Sequence, residues 1–236
     1  MSQNTSRDTS SDTSREDILG RVRAALKQDP AADPAQAAAR RQAALDHIAA
    51  RPSGPRPALA ALPQGELVQR FRARSEAMSS TVDTVAGSAE VPAAVARYLA
   101  ATGLAARAVC WPRLGGLDWA AAGLAVEPRA AAPDDLVGIT GVFCAIAETG
   151  SLMLLSGNET AATTSLLPET HIAVVPASRV VAGMEEGFAL LRAEHGALPR
   201  AVNFVSGPSR TGDIEQTIVL GAHGPYRVHL IVVADE

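Results

Sequence analysis

The densest group of reactive side chains directly follows a short apolar run, Ala201–Val205. Glycines in this group would let backbone N–H groups approach a ligand, and an arginine fork binds carboxylate or phosphate. If the run is a strand of an open α/β sheet, the group lies beyond its carboxyl end, where such sheets bind ligands. We therefore predict an anion site; the alternative is a polar turn in which Asp213 caps a short helix and Arg210 pairs with a carboxylate. The group comprises Ser206, Gly207, Ser209, Arg210, Thr211, Gly212, Asp213 and Glu215.

A second candidate is the sequence Glu148-Thr149-Gly150. Apolar runs at 143–147 and 152–155 flank it and predict a β-hairpin, with Gly150 in the turn because glycine accepts a positive φ. A glutamate at the end of an apolar strand suits acid–base or nucleophilic chemistry. The alternative is an ordinary hairpin turn with an exposed carboxylate.

The histidines give a third candidate. His223 lies in a glycine-rich turn, where it is placed to act as a general base. His229 alternates with apolar neighbours and is expected to be a core or edge residue. The chain order Ser209, Asp213, His223 permits a triad, although order alone carries little information. No two histidines are spaced as a helical zinc pair, so no metal site is predicted.

Composition argues against several classes of function. Aromatic residues make up 3% of the 236 residues and the net charge is −4, which disfavours stacking on single-stranded nucleic acid and binding to a phosphate backbone. The sole lysine, Lys27, lies near the N-terminus, so the body has no Schiff-base or phosphate-loop lysine. Cys110 and Cys144 lie in apolar runs and are predicted to be small buried hydrophobes.

Targeting and cofactor motifs are not recognised in the sequence. It has no apolar core of a signal peptide, and no run approaches the ~18 apolar residues of a membrane helix. We therefore expect a soluble cytoplasmic protein without a membrane span. The dinucleotide fingerprint G-x-G-x-x-G is missing, and Gly207 to Gly212 is one residue off a hydrolase elbow.

Three regions are predicted along the chain. Residues 1–14 hold eight serines and threonines and are expected to be a disordered tail. Residues 15–57 are predicted to be a helical arm, with one helix beginning at Ser14, and a proline-rich linker. Residues 58–236 alternate helical patterns with short, almost wholly apolar strands. That alternation predicts an α/β fold: an open, mixed, mostly parallel sheet with helices on both faces.

Several stretches of the body resemble the LUD-domain family. They are Ala145–Leu152, Leu166–Pro168, His171–Pro176, Gly207–Glu215 and Leu220–Pro225. The resemblance covers roughly residues 66–236 and implies a fold similar to the ribose-5-phosphate isomerase and CoA-transferase group. It also implies a role in growth on L-lactate, as part of a system that oxidises L-lactate to pyruvate with partner proteins, at least one carrying iron–sulfur clusters.

On this resemblance, a pocket would bind a small anion such as lactate, pyruvate or a cofactor phosphate. Arg210 would hold the carboxylate, and Glu148 or His223 would move the proton, with Asp213 as a further catalytic candidate. The remaining predicted ligand contacts are Thr149, Gly150, Gly207, Ser209, Thr211 and Glu215. The cofactor stays unknown.

Two departures from the family pattern bear on the chemistry. Longer relatives carry a cysteine-rich ferredoxin-like region, whereas two cysteines cannot hold an iron–sulfur cluster, so electrons would travel through the partners. The CoA-transferase group uses a glutamate near a glycine as nucleophile, and Glu148 has that context. A free-standing enzyme of CoA-transferase or sugar-phosphate type therefore stays open. A non-catalytic assembly subunit that docks through its N-terminal arm is the other alternative.

Overall fold

The computed structural model describes residues 9–26, 34–52, 54, 62–212 and 219–234. The chain divides into two compact units, residues 1–55 and 56–236. The first unit contains helices α1 (Thr9–Ala25) and α2 (Pro34–Ala50), and α2 has no buried side chain. Helix α1 begins five residues before the predicted start at Ser14. Serine and threonine have only mildly unfavourable helix propensities, so a helix can extend back through them.

The second unit alternates helices and strands, as the pattern of the sequence predicts. Its helices are α3 (Gln64–Ala77), α4 (Val91–Ala101), α5 (Thr163–Leu166) and α6 (Met184–His195). Its strands are β1 (Thr81–Val85), β2 (Arg107–Cys110), β3 (Ala125–Pro128), β4 (Val137–Gly141), β5 (Cys144–Ile146), β6 (Ser151–Leu155), β7 (Thr170–Pro176), β8 (Val180–Val181), β9 (Val202–Val205), β10 (Arg210–Thr211), β11 (Val219–Leu220) and β12 (Arg227–Val233).

The main sheet has six strands in the order β1-β12-β7-β4-β2-β3, and every neighbouring pair is parallel. Alternate residues of β12 enter different cores, because successive side chains of a strand point to opposite faces. Leu230 and Val232 pack with α3 and the second sheet, whereas Ile231 and Val233 pack with α4. The predicted α/β class, with a mostly parallel sheet and helices on both faces, is confirmed.

The hairpin predicted around Glu148 lies in a separate sheet. Strands β5 and β6 pair antiparallel and belong to a four-stranded sheet in the order β8-β5-β6-β9. Helix α6 packs on this second sheet through Leu191, against Cys144 and Met153. The sequence predicts one mixed sheet, whereas the antiparallel hairpin belongs to this second sheet and the main sheet is wholly parallel. The apolar runs correctly indicated strands, but their composition did not determine which sheet they would join.

Strand β1 is not evident from the sequence. Its residues Thr81–Val85 include three polar side chains, and only Val85 is buried. It nevertheless forms the edge of the main sheet through a five-residue register with β12. Among the described residues, none of the helices has the length and apolar character needed to cross a membrane.

Candidate functional site

The Glu148 turn and the start of the loop after β9 line one cavity of about 640 Å³, which we call the turn cavity. Strands β5, β8 and β9 run in the same direction in the second sheet, so their carboxyl ends meet at one edge. The loop after β9 was expected at the carboxyl end of a sheet, and it lies there, but the sheet is the smaller one. The lining residues are Arg70, Arg74, Ala77, Met78, Glu148, Thr149, Ser151, Met184, Phe204 and Ser206.

Glu148 is held at the carboxyl end of β5 by its backbone. Its N–H donates to the carbonyl of Ala182 at 3.0 Å, which continues the pairing of β5 with β8. Gly183 directly precedes α6, and a Cβ added there would lie 3.1 Å from Glu148 Oε2. The carboxyl group therefore lies beside the first turn of α6, and it is partly exposed to the cavity.

A chain of hydroxyl groups joins the two segments. Ser151 Oγ lies 2.6 Å from Ser206 Oγ and 2.8 Å from Thr149 Oγ1. Ser151 is buried, whereas Thr149 and Ser206 are exposed. Since each hydroxyl both donates and accepts, the row presents hydrogen-bonding groups along the cavity wall.

Both segments approach the end of α3 so closely that only glycine fits. Gly150 has φ +69° and Gly207 has φ +79°. A Cβ on Gly150 would lie 2.6 Å from the backbone nitrogen of Ser75, and one on Gly207 would lie 2.2 Å from the carbonyl oxygen of Met78. These contacts fix the turn, the loop and the helix end against each other.

Arg210 is bound to the same helix end. Its Nη2 donates to the carbonyl of Met78 at 3.2 Å and to Ser79 Oγ. The guanidinium therefore satisfies two acceptors that follow α3, and Arg210 does not line the turn cavity. Arg210 is therefore bound within the chain, as in the alternative in which it pairs with a carboxylate, but its acceptors are a backbone carbonyl and a hydroxyl oxygen.

The positive charge in the turn cavity comes from α3 instead. Arg70 and Arg74 lie four residues apart and so project from one face of the helix. Among the described residues, neither guanidinium has an ion-pair or hydrogen-bond partner, and Arg70 Nε is buried. Sequence reasoning missed both, because arginines on a helix usually indicate a solvated face.

The other predicted site residues lie away from this cavity. Ser209 and Thr211 belong to the segment that pairs with β11, where the Ser209 N–H donates to the Pro225 carbonyl at 2.8 Å. His223 is exposed in the loop that follows β11. Asp213 and Glu215 lie outside the described residues. The turn cavity therefore brings together Glu148, Thr149 and Ser206 from the sequence prediction, with the glycines Gly150 and Gly207 packed behind them.

A second cavity, of about 840 Å³, lies at the carboxyl edge of the main sheet; we call it the strand-end cavity. Its wall includes Trp111 directly after β2, Gly141 to Phe143 at the end of β4, and Pro176 at the end of β7. From β2 the chain continues to β3, its neighbour towards one edge of the sheet. From β4 the next strand of this sheet is β7, its neighbour towards the opposite edge. The cavity therefore lies where adjacent connections leave in opposite directions, the usual position of a ligand in an open α/β sheet.

Arg113 is a basic side chain in the wall of this cavity that the sequence analysis did not single out. Its guanidinium lies over the ring of Trp111, 5.1 Å from the centroid, and donates to the Val142 carbonyl at 3.2 Å. A Cβ on Gly141 would lie 1.9 Å from Arg113 Nη2. The guanidinium can occupy this position because residue 141 has no side chain. Burial, together with the nearby Arg179, lowers the pKa of Arg113. The signal in the sequence was an arginine three residues beyond the end of β2.

A second arginine in the strand-end cavity is already neutralised. Arg179 forms two bonds to the Glu194 carboxylate, at 2.6 and 2.9 Å, and donates to the Phe143 carbonyl at 2.8 Å. The hydrogen bonds that Arg179 donates to the Glu194 carboxylate raise the pKa of Arg179. Arg113 therefore supplies the uncompensated positive charge in the described wall of this cavity.

The buried titratable groups lie in the cores of the sheets. Burial raises the pKa of both Cys110 and Cys144 to about 11, so neither is a ready nucleophile. His229 stacks on Tyr98 with ring centroids 4.0 Å apart, and its Nδ1 lies 2.8 Å from Thr81 Oγ1. Within the described part of the chain, no three His, Cys, Asp or Glu side chains cluster as metal ligands would.

Comparison with known proteins decides the family. Residues 68–233 match the family model described as the LUD domain. The chain belongs to the LUD domain family. A crystal structure of a DUF162 family protein from Deinococcus radiodurans resembles this LUD chain with a TM-score of 0.54 and 26% sequence identity, covering 73% of this chain and 99% of that one.

Curated relatives of this LUD chain are named lactate utilization protein C, as the sequence resemblance indicated. The relative from Bacillus licheniformis is 37% identical over 131 residues, which cover 53% of this chain and 54% of the relative. The relative from Halalkalibacterium halodurans is 43% identical over 102 residues, covering 42% of this chain and 44% of the relative. The matched part thus spans about half the length of these relatives.

Proposed function

We propose that this chain is a component of an L-lactate utilization system and that it binds a small carboxylate, such as L-lactate, in the turn cavity. The observation that carries the proposal is the meeting of two distant segments, at Glu148 and Ser206, beside two arginines without a carboxylate partner among the described residues. The relatives named lactate utilization protein C supply the substrate class.

The groups around the cavity match an α-hydroxy carboxylate. Arg70 or Arg74 would bind the carboxylate, since a guanidinium fork pairs with it in a bidentate manner. The hydroxyls of Thr149 and Ser206 would hydrogen-bond the substrate hydroxyl. Glu148 would accept the proton of that hydroxyl when it is oxidised.

The oxidation of L-lactate to pyruvate releases two electrons and two protons. In this scheme the two electrons would pass to iron–sulfur partner proteins, the hydroxyl proton to Glu148, and the proton from the α-carbon to solvent. Arg210 then acts as a positioning residue, because it ties the loop after β9 to the end of α3. Ser209, Thr211 and His223 have no assigned step in this scheme, and Asp213 and Glu215 stay candidates from the sequence.

Growth on L-lactate tests the role in the system. A host strain that lacks this chain should fail to grow on L-lactate as the only carbon source, and the wild-type chain should restore growth. Glu148→Gln should not restore it, whereas Arg192→Gln should, because Arg192 is exposed on α6 and lines neither cavity. Full growth of the strain without the chain would refute the proposed role.

Reconstitution separates a catalytic role from an assembly role. Lactate oxidation is measured with the partner proteins alone and with this chain added, as wild type or as Glu148→Gln. The proposal expects turnover only with the wild-type chain. If Glu148→Gln supports the same turnover, the turn cavity takes no part in proton transfer. Turnover by the chain without partners would favour the free-standing enzyme instead.

A further inference from the structure

We propose that the strand-end cavity is a second ligand site, which takes a monocarboxylate with a medium-length apolar chain, held by Arg113. This inference does not depend on the proposed function, because the two cavities share no lining residue in the described part of the chain.

The first argument is the state of Arg113. Its guanidinium is fixed from two sides, by the Trp111 ring and by the Val142 carbonyl, before any ligand arrives. Among the described residues, no carboxylate pairs with it. Arg113 is exposed and lines the cavity, so an anion can reach its free nitrogens and accept charge-assisted hydrogen bonds there.

The second argument is the charge count of the wall. Arg179 also lines the cavity, but the Glu194 carboxylate takes both ends of its fork. His195 lies at the rim, edge-on to Phe143 with centroids 5.6 Å apart. One uncompensated arginine matches one negative charge, which favours a carboxylate over a doubly charged phosphate.

The third argument is the chemistry of the remaining wall. Apolar side chains dominate the surface of the cavity. They include Leu114, Leu117, Val142, Phe143 and Leu155. A cavity of about 840 Å³ is of the size and apolar character usual for small-molecule sites with a few polar anchors. Lactate would leave most of it unfilled, whereas an apolar chain attached to the carboxylate would bury this surface.

The sequence supplies a reporter for the test. The chain contains two tryptophans, Trp111 and Trp119, and Trp111 lies in the wall under the guanidinium. We would measure binding of octanoate to the full chain by calorimetry and by tryptophan fluorescence. Octanol, octyl phosphate and L-lactate serve as matched probes that change the charge or remove the apolar chain.

The proposal expects one octanoate per chain, a fluorescence change that is lost in Trp111→Phe, and binding at least tenfold weaker in Arg113→Gln. Octanol and L-lactate should bind at least tenfold more weakly than octanoate, and octyl phosphate no more tightly. Arg192→Gln removes the same charge outside the cavity and should bind as the wild type. Gly141→Ala keeps the charge but displaces the guanidinium, so it should also weaken binding.

Three results would overturn the proposal. One is octanoate binding that is equal in Arg113→Gln and the wild type. A second is equal binding of octanol and octanoate, which would indicate adsorption to an apolar surface. The third is the absence of saturable octanoate binding to the wild-type chain. If Arg113→Gln does not fold, Gly141→Ala and the fluorescence of Trp111 decide the same question.

Discussion

The turn cavity and the strand-end cavity are built in different ways. The turn cavity brings together a hairpin turn and the loop after β9, which begins a contiguous polar motif. Close backbone contacts with the end of α3 fix both segments. The strand-end cavity has no such motif, because its residues follow separate parallel strands one or two at a time. The polar motif after β9 therefore indicates the turn cavity, whereas the strand order of the main sheet indicates the strand-end cavity.

The two cavities also differ in what holds their functional groups. In the turn cavity, Gly150 and Gly207 touch backbone atoms of α3, which cannot move without shifting the helix. In the strand-end cavity, Gly141 touches the far end of the flexible Arg113 side chain. We therefore expect substitution of Gly150 or Gly207 to affect mainly stability, and substitution of Gly141 to affect mainly binding in the strand-end cavity.

The largest expected effect is that of Gly207→Ala. The substitution places a Cβ 2.2 Å from the Met78 carbonyl at φ +79°. The left-handed backbone and the clash together should lower the free energy of unfolding by about 2–5 kcal/mol. Urea unfolding followed by circular dichroism measures this change. Gly212→Ala is the matched control in the same loop, since nothing lies within 4 Å of its Cβ.

Gly141→Ala makes the same comparison for the strand-end cavity. The three atoms nearest its Cβ all belong to the flexible guanidinium of Arg113, so the stability loss should be about 1 kcal/mol or less. The same urea experiment measures it. A loss as large as that of Gly207→Ala would show that the wall of the strand-end cavity is as rigid as that of the turn cavity.

The next effect concerns two histidines buried in β7 and β12 of the main sheet. Burial lowers the pKa of His171 and of His229 to about 4, from an ordinary value of 6.5. The unfolded chain therefore binds more protons between these values, and stability is lost as the pH falls from about 6.5 to 4. The slope is at most ~1.4 kcal/mol per pH unit for each histidine.

Urea unfolding at a series of pH values measures that slope. His229→Gln should reduce it, because the glutamine cannot take up a proton. An unchanged slope in His229→Gln would contradict burial of this histidine as a cause of the pH dependence.

A smaller effect is expected in the hydroxyl row of the turn cavity. Ser151 Oγ and Ser206 Oγ lie 2.6 Å apart and join the two segments. In a double-mutant cycle with Ser151→Ala and Ser206→Ala, the coupling energy should be about 0.5–1.5 kcal/mol. Additive effects would mean that the loop is held by its glycine contact alone.

The sequence predicted the elements better than their arrangement. Apolar runs such as Val228–Val233 are unambiguous because both faces of the strand are buried. The pattern of Thr81–Val85 gave no such signal, since an edge strand leaves its polar side chains in solvent. The assignment of the hairpin to a second sheet depends on long-range pairing, which local composition does not encode.

The sequence indicated part of the turn cavity. Glu148 was a predicted site residue and Ser206 began the polar group, and both line this cavity. Their roles toward a ligand stay predictions. Arg210 was assigned to the ligand because its residue type suits an anion, but the acceptors after α3 lie in a distant part of the sequence. Arg74 and Arg113 were missed for the same reason: their surroundings arise only when separate elements pack together.

Binding of L-lactate tests the central claim most directly, that the turn cavity holds a small carboxylate through the arginines of α3. Calorimetry with the full chain should show saturable binding, weakened at least tenfold in the double variant Arg70→Gln/Arg74→Gln. Arg72→Gln, on the same helix but outside the cavity wall, should bind as the wild type. Equal lactate binding by the double variant and the wild type would contradict the account.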